Sequence, residues 1–277
     1  MYHSISDQDD PNRQPYFQTN TKPEIFAQHM QYLADNNYKV IPLSEAISIL
    51  ANQPVTSLPL ATSHETLNTG TPSLATSHKS QATKAPRYAV LTFDDGHRDF
   101  YAVAWPILKK FGYPATMFLP TGFVDNERKR LNGKECLTWD EVEALASQGA
   151  MFGAHTVSHI QLYGMDSRKI DHEISQSKRE IEEKLHGRVE HYAYALAFPE
   201  HDEEFVTFYE KSLREARYRG AMSTRIGTVE PGDNLYRLKR LPVNTHDDIK
   251  LFQAKLESGY DWLYKFQYIK KKMSFVG

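Results

Sequence analysis

The feature that most constrains the fold is a regular alternation of short strand signals and helix signals over residues 88–243. The strand signals lie near residues 88–93, 115–119, 151–154, 191–198, 219–223 and 235–243. Such an alternation is typical of a parallel sheet, because each helix carries the chain back to begin the next strand in the same direction. We therefore predict an α/β fold that closes into a barrel, with functional groups where strands end and loops begin.

The remaining elements are predicted from capping patterns and apolar spacing. A helix over about residues 22–36 begins with a capping-box pattern at Thr21, and Ser44 is predicted to cap a second helix. Ser167 is predicted to cap a helix with one apolar face. At about residues 53–86 the composition changes to Ser, Thr, Pro, Ala and His, which cannot bury enough apolar surface to order itself. We expect a disordered insertion there.

Composition excludes several classes of function. The 277 residues contain 33 Lys and Arg against 35 Asp and Glu, and the net charge of -2 provides no basic surface for nucleic acid or anionic lipid. One cysteine, Cys136, excludes an internal disulfide. The sequence shows neither the run of roughly 18 apolar residues expected of a membrane span nor the initial pattern of a secretory signal. Compartment and oligomeric state stay open.

An acidic pair follows the apolar residues 90–93 directly. Asp94 and Asp95, followed by Gly96, are placed at the tip of a predicted strand. Adjacent carboxylates repel each other unless a cation or a proton intervenes, which favours a metal site. The alternative is a solvated turn, because Asp-Asp-Gly is also good turn chemistry.

Two histidines are predicted at the end of another strand. His155 and His159 are four residues apart, a spacing that places both imidazoles on one face of a helix. Such a pair alone is a weak signal. With one carboxylate from the acidic pair, it gives a ligand set that leaves an open position for a metal-bound water.

These two motifs resemble those of a known family. Thr92-Phe93-Asp94-Asp95-Gly96 and His155-Thr156-Val157-Ser158-His159 are similar to the first two motifs of the polysaccharide deacetylases, carbohydrate esterase family four, which share the NodB homology domain. Further stretches resemble this family's framework in the same order: Tyr2-His3, Trp105-Pro106-Ile107-Leu108, Pro114-Ala115-Thr116-Met117-Phe118 and Thr138-Trp139. The resemblance implies a single catalytic domain over residues 1–277 with an irregular (β/α) barrel of the deacetylase type.

The resemblance also implies an activity and a set of roles. A divalent ion, Zn²⁺ or alternatively Co²⁺ or Ni²⁺, would be bound by Asp95, His155 and His159, and Asp94 would be the general base. The reaction would remove N-acetyl or O-acetyl groups from a polysaccharide. By the same resemblance, the cell envelope or the exterior is the expected location.

The third motif departs from the family pattern. The family has an aromatic residue, a proline, an aromatic residue and a glycine, whereas this chain has Phe198-Pro199-Glu200-His201. In the family a backbone N–H just after the proline stabilises the oxyanion, and here Glu200 would supply it. Its carboxylate would lie close to developing negative charge, and the missing glycine would alter the loop.

A general acid is harder to assign than the base. By resemblance to a family histidine that follows a late strand, His246 is the first candidate for protonating the leaving group, although residues 245–247 could simply open the last helix. His201 is a second candidate.

Four other side chains are candidates for supporting roles. Arg240 either contacts substrate, orients Asp94 or forms a structural ion pair. His97 and Asp99 flank the acidic pair and could orient ligands. Trp139 either lines a sugar groove or belongs to the core.

Two alternative functions remain open. A carbohydrate-binding protein could keep the metal site without turnover, and a metal amidohydrolase could act on a small amide. A glycoside hydrolase is disfavoured because it needs two carboxylates facing each other across the scissile bond. Asp94 and Asp95, adjacent at the end of one strand, are expected to point apart.

Overall fold

The computed structural model of the protein describes residues 1–9, 14–15, 18–52, 86–264 and 266–269. The expected insertion at about residues 53–86 lies outside these residues except for residue 86. Seven α-helices occur in the described part of the chain: α1 Pro23–Asp35, α2 Leu43–Asn52, α3 Trp105–Phe111, α4 Trp139–Ser147, α5 Ser167–Leu185, α6 Glu203–Glu215 and α7 Ile249–Leu256. None of the helices in these ranges is long and apolar enough to span a bilayer.

The strands of the described residues are short, and most belong to one parallel sheet. They are β1 Ser4–Ile5, β2 Asn20–Thr21, β3 Tyr38–Val40, β4 Arg87–Ala89, β5 Thr92–Phe93, β6 Thr116–Leu119, β7 Arg130–Leu131, β8 Lys134–Glu135, β9 Met151–Ala154, β10 His191–Ala193, β11 Gly220–Ile226 and β12 Leu238–Arg240. The main sheet has the order β12-β11-β10-β9-β6-β5, and every pair in it is parallel. The carboxyl ends of these strands therefore share one edge, where the site is expected.

The first two residues connect the two edges of this sheet. Tyr2 bridges to Phe93 beside β5: its N–H donates to Thr92 O at 2.9 Å, and the N–H of Asp94 donates to Tyr2 O at 3.0 Å. After β12, the N–H of Val243 donates to Met1 O at 3.0 Å. The sheet is therefore curled, with helices around it, and forms the irregular (β/α) barrel that was predicted.

The helices bury one face each, as the apolar spacing indicated. In α5 the buried side chains include Ile170, Ile174 and Ile181. In α4 the hydroxyl of Thr138 accepts from the N–H of Glu141, and the Glu141 carboxylate accepts from the N–H of Thr138, which is a complete capping box. These contacts fix α4, which precedes β9 and residues 155–159, and α5, which follows them.

Three local predictions about helix starts were wrong. Lys22 is the N-cap of α1, because Thr21 lies in β2 and its hydroxyl donates to Val243 O. Helix α2 begins at Leu43, so Ser44 is already inside its first turn. The N-cap of α5 is Asp166, whose carboxylate accepts from the N–H of Lys169.

The single strand predicted at residues 88–93 is two strands. Ala89 O accepts from the N–H of Ile41, so β4 pairs with β3 in a separate small sheet. Two residues later, Leu91 O accepts from the N–H of Thr116, and β5 then pairs with β6. The apolar run is continuous in sequence, but its hydrogen-bonding partner changes along it.

Candidate metal centre

The acidic pair lies at the tip of β5, where the chain turns sharply. Asp95 has a φ of 73° and Gly96 a φ of 62°, so both adopt the left-handed conformation. Asp94 and Asp95 are 2 % and 6 % exposed. Their carboxylates point apart: Asp94 faces Arg240, while Asp95 faces the histidines. A solvated turn is thereby ruled out for this pair.

The histidine motif is a tight loop, which corrects the expectation of a helical face. It follows β9 directly, and Thr156 and His159 have φ values of 67° and 52°. Left-handed backbone at two of these five positions is incompatible with a right-handed helix. The imidazoles come together because the loop folds back, so the spacing of four indicated their proximity but not the local structure that produces it.

Asp95, His155 and His159 form the one cluster of three potential ligands found among the described residues. Their ligand atoms all lie within 4.8 Å of one another. Asp95 Oδ1 is 3.0 Å from His159 Nε2 and 3.5 Å from His155 Nε2. Nδ1 of His155 donates to Ala193 O at 2.8 Å, so Nε2, which faces Asp95, is the ring nitrogen available to a metal. One carboxylate and two oriented imidazoles fit a catalytic divalent-metal site.

The charges of the centre also suit a cation. Burial raises the pKa of Asp95, but hydrogen bonds from His155, His159 and His97 outweigh it and hold the pKa well below its usual value. Burial likewise raises the pKa of Asp94, and the Arg240 charge is the largest of the opposing effects that leave the pKa lowered. Both carboxylates are therefore ionised at neutral pH.

Arg240 forms an ion pair with Asp94, as both the orienting role and the structural role left open for it require. Arg240 Nη1 and Nη2 donate to the two carboxylate oxygens of Asp94 at 2.7 and 2.8 Å, and Nε donates to Ser223 O at 3.2 Å. Arg240 is only 6 % exposed. This two-point contact holds the Asp94 carboxylate in one plane at the edge of the metal centre.

The other supporting candidates fall in different places. His97 is 2 % exposed, and its Nε2 lies 3.5 Å from Asp95 Oδ2, as a ligand-orienting group should. Asp99 instead accepts hydrogen bonds from Ser4 and from the N–H of Ile5, so it fixes β1. Trp139 belongs to the hydrophobic core, where it is 7 % exposed, and this supports its core interpretation over a sugar groove.

The loop after β10 differs from the arrangement expected of the third motif. The N–H of Glu200 donates to Phe198 O at 3.1 Å, so the expected oxyanion donor is engaged within the turn that contains Pro199. The Glu200 carboxylate lies 3.6 Å from Arg225 Nε, which offsets its negative charge. The N–H of Phe198 in turn donates to Thr224 Oγ1 at 2.9 Å.

The two general-acid candidates lie in different environments. His246 is exposed in the turn before α7, and its N–H donates to Asn244 Oδ1 at 2.9 Å. The ring of His201 lies 5.9 Å from the ring of Tyr163. The role of general acid stays a prediction for both.

Residues 155–159 form the histidine loop, and sequence reasoning missed the residues that hold this loop in place. On one side, the N–H of Gly122 donates to Val157 O at 2.8 Å; on the other, the carboxylate of Glu173 accepts from the N–H of Val157 at 2.8 Å. A signal existed for Glu173: it lies among the buried isoleucines of α5, where a charged residue interrupts the apolar face. No sequence signal distinguished Gly122 from other loop glycines.

A methyl group at residue 122 is expected to disturb this loop. In a Gly122→Ala variant the added Cβ would lie 2.8 Å from Val157 O, so the backbone must shift. We expect a loss of about 1–3 kcal/mol of unfolding free energy and weaker Zn²⁺ binding, measured by urea unfolding and by chelator competition. In the matched Gly187→Ala variant the nearest such atom lies at 3.6 Å, and a change within about 1 kcal/mol is expected. Equal behaviour of the two variants would contradict this account.

Comparison with known proteins agrees with this geometry. Residues 81–211 match the family model described as polysaccharide deacetylase. YxkH of Bacillus subtilis strain 168, whose name places it among the polysaccharide deacetylases, is 26 % identical over 258 residues, covering 93 % of this chain and 75 % of that protein.

Solved structures share the fold. The Streptococcus pyogenes deacetylase PplD, solved in complex with acetate, aligns with a TM-score of 0.69 at 22 % identity, covering 92 % of this chain and 96 % of that one. IcaB from Ammonifex degensii aligns with a TM-score of 0.67 at 20 % identity, covering 92 % and 100 % of the two chains.

Proposed function

We propose, from the premise that this chain belongs to the polysaccharide deacetylase family through residues 81–211, that it is a metal-dependent hydrolase removing N-acetyl or O-acetyl groups from a polysaccharide. One observation carries the proposal. Asp95, His155 and His159 bring their ligand atoms within 4.8 Å of one another, and the neighbouring carboxylate of Asp94 points elsewhere and is held by Arg240. One carboxylate is thus available to a metal and the other to a proton.

The proposed ligands Asp95, His155 and His159 support metal-assisted hydrolysis. When bound, a divalent ion such as Zn²⁺ lowers the pKa of a water molecule and polarises an acyl carbonyl. Asp95 Oδ1 and the Nε2 atoms of His155 and His159 would hold it, with one coordination position left open.

Asp94 is the group that would take the proton from the attacking water. Its carboxylate is ionised and is held in one orientation by two hydrogen bonds from Arg240, as a general base requires. Water adds to the acyl carbon, the bond from that carbon to nitrogen or oxygen breaks, and acetate leaves. The freed amine or hydroxyl of the sugar takes a proton, for which His246 is the predicted donor.

A non-catalytic carbohydrate-binding protein is the second candidate, and one observation favours it. The N–H of Glu200, the expected oxyanion donor, already donates to Phe198 O. If this bond persists with substrate present, the tetrahedral intermediate loses one stabilising contact. Such a protein would bind metal and glycan and release no acetate.

Acetate release separates these candidates. Oligomers of N-acetylglucosamine, acetylated xylan and a simple acetamide are offered to the metal-loaded protein and to protein stripped by a chelator. We expect release from a glycan to fall to background on stripping and to return with Zn²⁺ or Co²⁺, because the ion would supply the activation of water and of the acyl carbonyl.

The other outcomes each point to one alternative. Stoichiometric metal without acetate release from any substrate would support the binding protein. Faster turnover of the simple acetamide than of every glycan would support an amidohydrolase of small amides. Full activity in the stripped protein, with no metal detected, would overturn the proposal.

A further inference from the structure

Glu173 is a buried carboxylate that lies outside the metal-ligand set. It projects from α5 and is 4 % exposed. A carboxylate removed from water is unfavourable unless hydrogen-bond donors replace the lost hydration. The hydrogen-bond donors around Glu173 therefore show which part of the chain its carboxylate binds.

Among the described residues, the Glu173 carboxylate has three hydrogen-bond donors, and all three come from the histidine loop. Oε2 accepts from the N–H of Val157 at 2.8 Å and from the N–H of Ser158 at 3.0 Å. Oε1 accepts from the hydroxyl of Ser158 at 2.6 Å. Val157 and Ser158 lie between the two metal-ligand histidines, so Glu173 binds the middle of the segment that carries both imidazoles.

The rest of the loop is held by the side chain of Thr156, which lies within it, and by residues 121–122 on the side opposite α5. The N–H of His159 donates to Thr156 Oγ1 at 2.9 Å. The N–H of Thr121 donates to Thr156 O at 3.2 Å, and that of Gly122 donates to Val157 O at 2.8 Å. The loop thus receives its acceptors largely from α5 and its donors from residues 121–122.

The backbone conformation explains why the loop needs this support. Thr156 and His159 have positive φ angles, which are unfavourable for side chains of these types, and most of all for the β-branched Thr156. Such conformations are unfavourable and persist only where surrounding contacts fix them. Without Glu173, the N–H groups of Val157 and Ser158 would lose their acceptor, and the loop could relax toward ordinary φ values.

We infer that Glu173 is a positioning residue of the metal centre: its hydrogen bonds to Val157 and Ser158 keep His155 and His159 at ligand spacing. This inference rests on the proposed function, because it presupposes a metal at Asp95, His155 and His159. Glu173 touches no ligand atom and acts through the loop backbone. Loss of such outer contacts typically weakens metal binding about 10–100-fold.

Two variants separate hydrogen bonding from charge. In Glu173→Gln, the amide oxygen can accept both N–H groups and the amide NH₂ can donate to Ser158 Oγ, so the geometry survives without the charge. In Glu173→Leu, every acceptor is lost. We expect Zn²⁺ affinity within about threefold of the unmodified protein for the first variant and about 10–100-fold weaker for the second. Affinity is measured by competition with a chromophoric chelator.

The Co²⁺ absorption spectrum provides a readout that a purely structural role would not change. We expect the spectrum of Glu173→Leu to shift, because the imidazole geometry changes, and that of Glu173→Gln to match the unmodified protein. Glu183→Gln is the matched control: it makes the same change of charge on the exposed face of α5 and should leave affinity and spectrum unchanged. Melting of the metal-free proteins shows which variants fold.

Each outcome decides the inference. A folded Glu173→Leu variant with unchanged affinity overturns it, and so does a Glu173→Gln variant that loses as much affinity as Glu173→Leu, since charge alone would then be responsible. If Glu173→Leu does not fold, Glu173→Asp takes its place: its shorter side chain withdraws the acceptors, so unchanged Zn²⁺ affinity would overturn the inference and a loss of tenfold or more would support it. Failure of the unmodified protein to bind Zn²⁺ would overturn the proposed function and the inference with it.

Discussion

An Asp94→Asn variant is expected to release acetate about 100 to 10,000 times more slowly than the unmodified protein while still binding the metal. The amide has nearly the shape of the carboxylate but cannot take a proton from water, and general-base catalysis typically contributes this range of rate. In the proposed site the ligand atoms belong to Asp95 and the two histidines, so metal content should not change. Acetate release at saturating substrate and metal content by elemental analysis give the two quantities.

The control for this variant is the same chemical change elsewhere. Asp166 is exposed at the N-cap of α5, where its carboxylate accepts from the N–H of Lys169. Asparagine caps helices as well as aspartate does, so Asp166→Asn should leave turnover unchanged. Undiminished turnover of a folded, metal-loaded Asp94→Asn protein would exclude Asp94 as the general base.

An Arg240→Met variant is expected to lose about 3–5 kcal/mol of unfolding free energy at neutral pH. Removing one member of a buried ion pair leaves the other charge without compensation, and Asp94 is 2 % exposed. The carbonyl of Ser223 loses its donor as well. Urea unfolding of the metal-free proteins measures the difference. Turnover should fall too, because Asp94 loses the contact that fixes its orientation.

The pH dependence of this loss has a definite sign. In the unmodified protein burial raises the pKa of Asp94, but the Arg240 charge and other contacts outweigh it and leave the pKa lowered. This group therefore stabilises the fold above its unfolded pKa of about 3.9 and loses that effect as pH falls through the lower folded value. In the variant burial dominates and raises the pKa, so protonation relieves the penalty as pH falls. The two stabilities should converge toward acidic pH.

The surface ion pair between Arg219 and Glu190 provides the control for the Arg240→Met variant. Arg219 Nη1 lies 3.3 Å from Glu190 Oε2, and both side chains are partly exposed. Arg219→Met removes a similar side chain from a solvated pair, and a change of less than about 1 kcal/mol is expected. If Arg240→Met were equally mild and its loss did not vary with pH, the Asp94–Arg240 contact would contribute nothing to stability.

Sequence patterns were sufficient to predict the repeating strand–helix units of the fold. The strand at residues 151–154 was predicted with the bounds that the structure shows, and the barrel follows from the strand–helix alternation. The division between β4 and β5 was not predictable, because one apolar run pairs with two different neighbours. Only the positions of Ile41 and Thr116 in space decide where the run divides.

The candidate site was predictable as a set of residues but not as a geometry. Asp95, His155 and His159 converge as the motifs implied. The path of the histidine loop was not predictable, since its left-handed residues are held by groups that lie far away in sequence, such as Glu173 and Gly122. The turn that engages the N–H of Glu200 was likewise not predictable, because the N–H of Phe198 within it donates to the hydroxyl of Thr224 in β11.

The Asp94–Arg240 contact has a consequence for how the protein matures. The two residues are 146 positions apart, and they follow or end the strands at opposite edges of the main sheet. Contacts with such separation form late, because a long stretch of chain must be ordered before they are rewarded. On the proposed assignment, a nascent chain that has emerged through residue 159 carries the three candidate metal ligands, but it still lacks Glu173, which holds their loop, and Arg240, which orients Asp94. We therefore expect the proposed metal site to be completed before the proposed general base, whose orientation waits for the barrel to close.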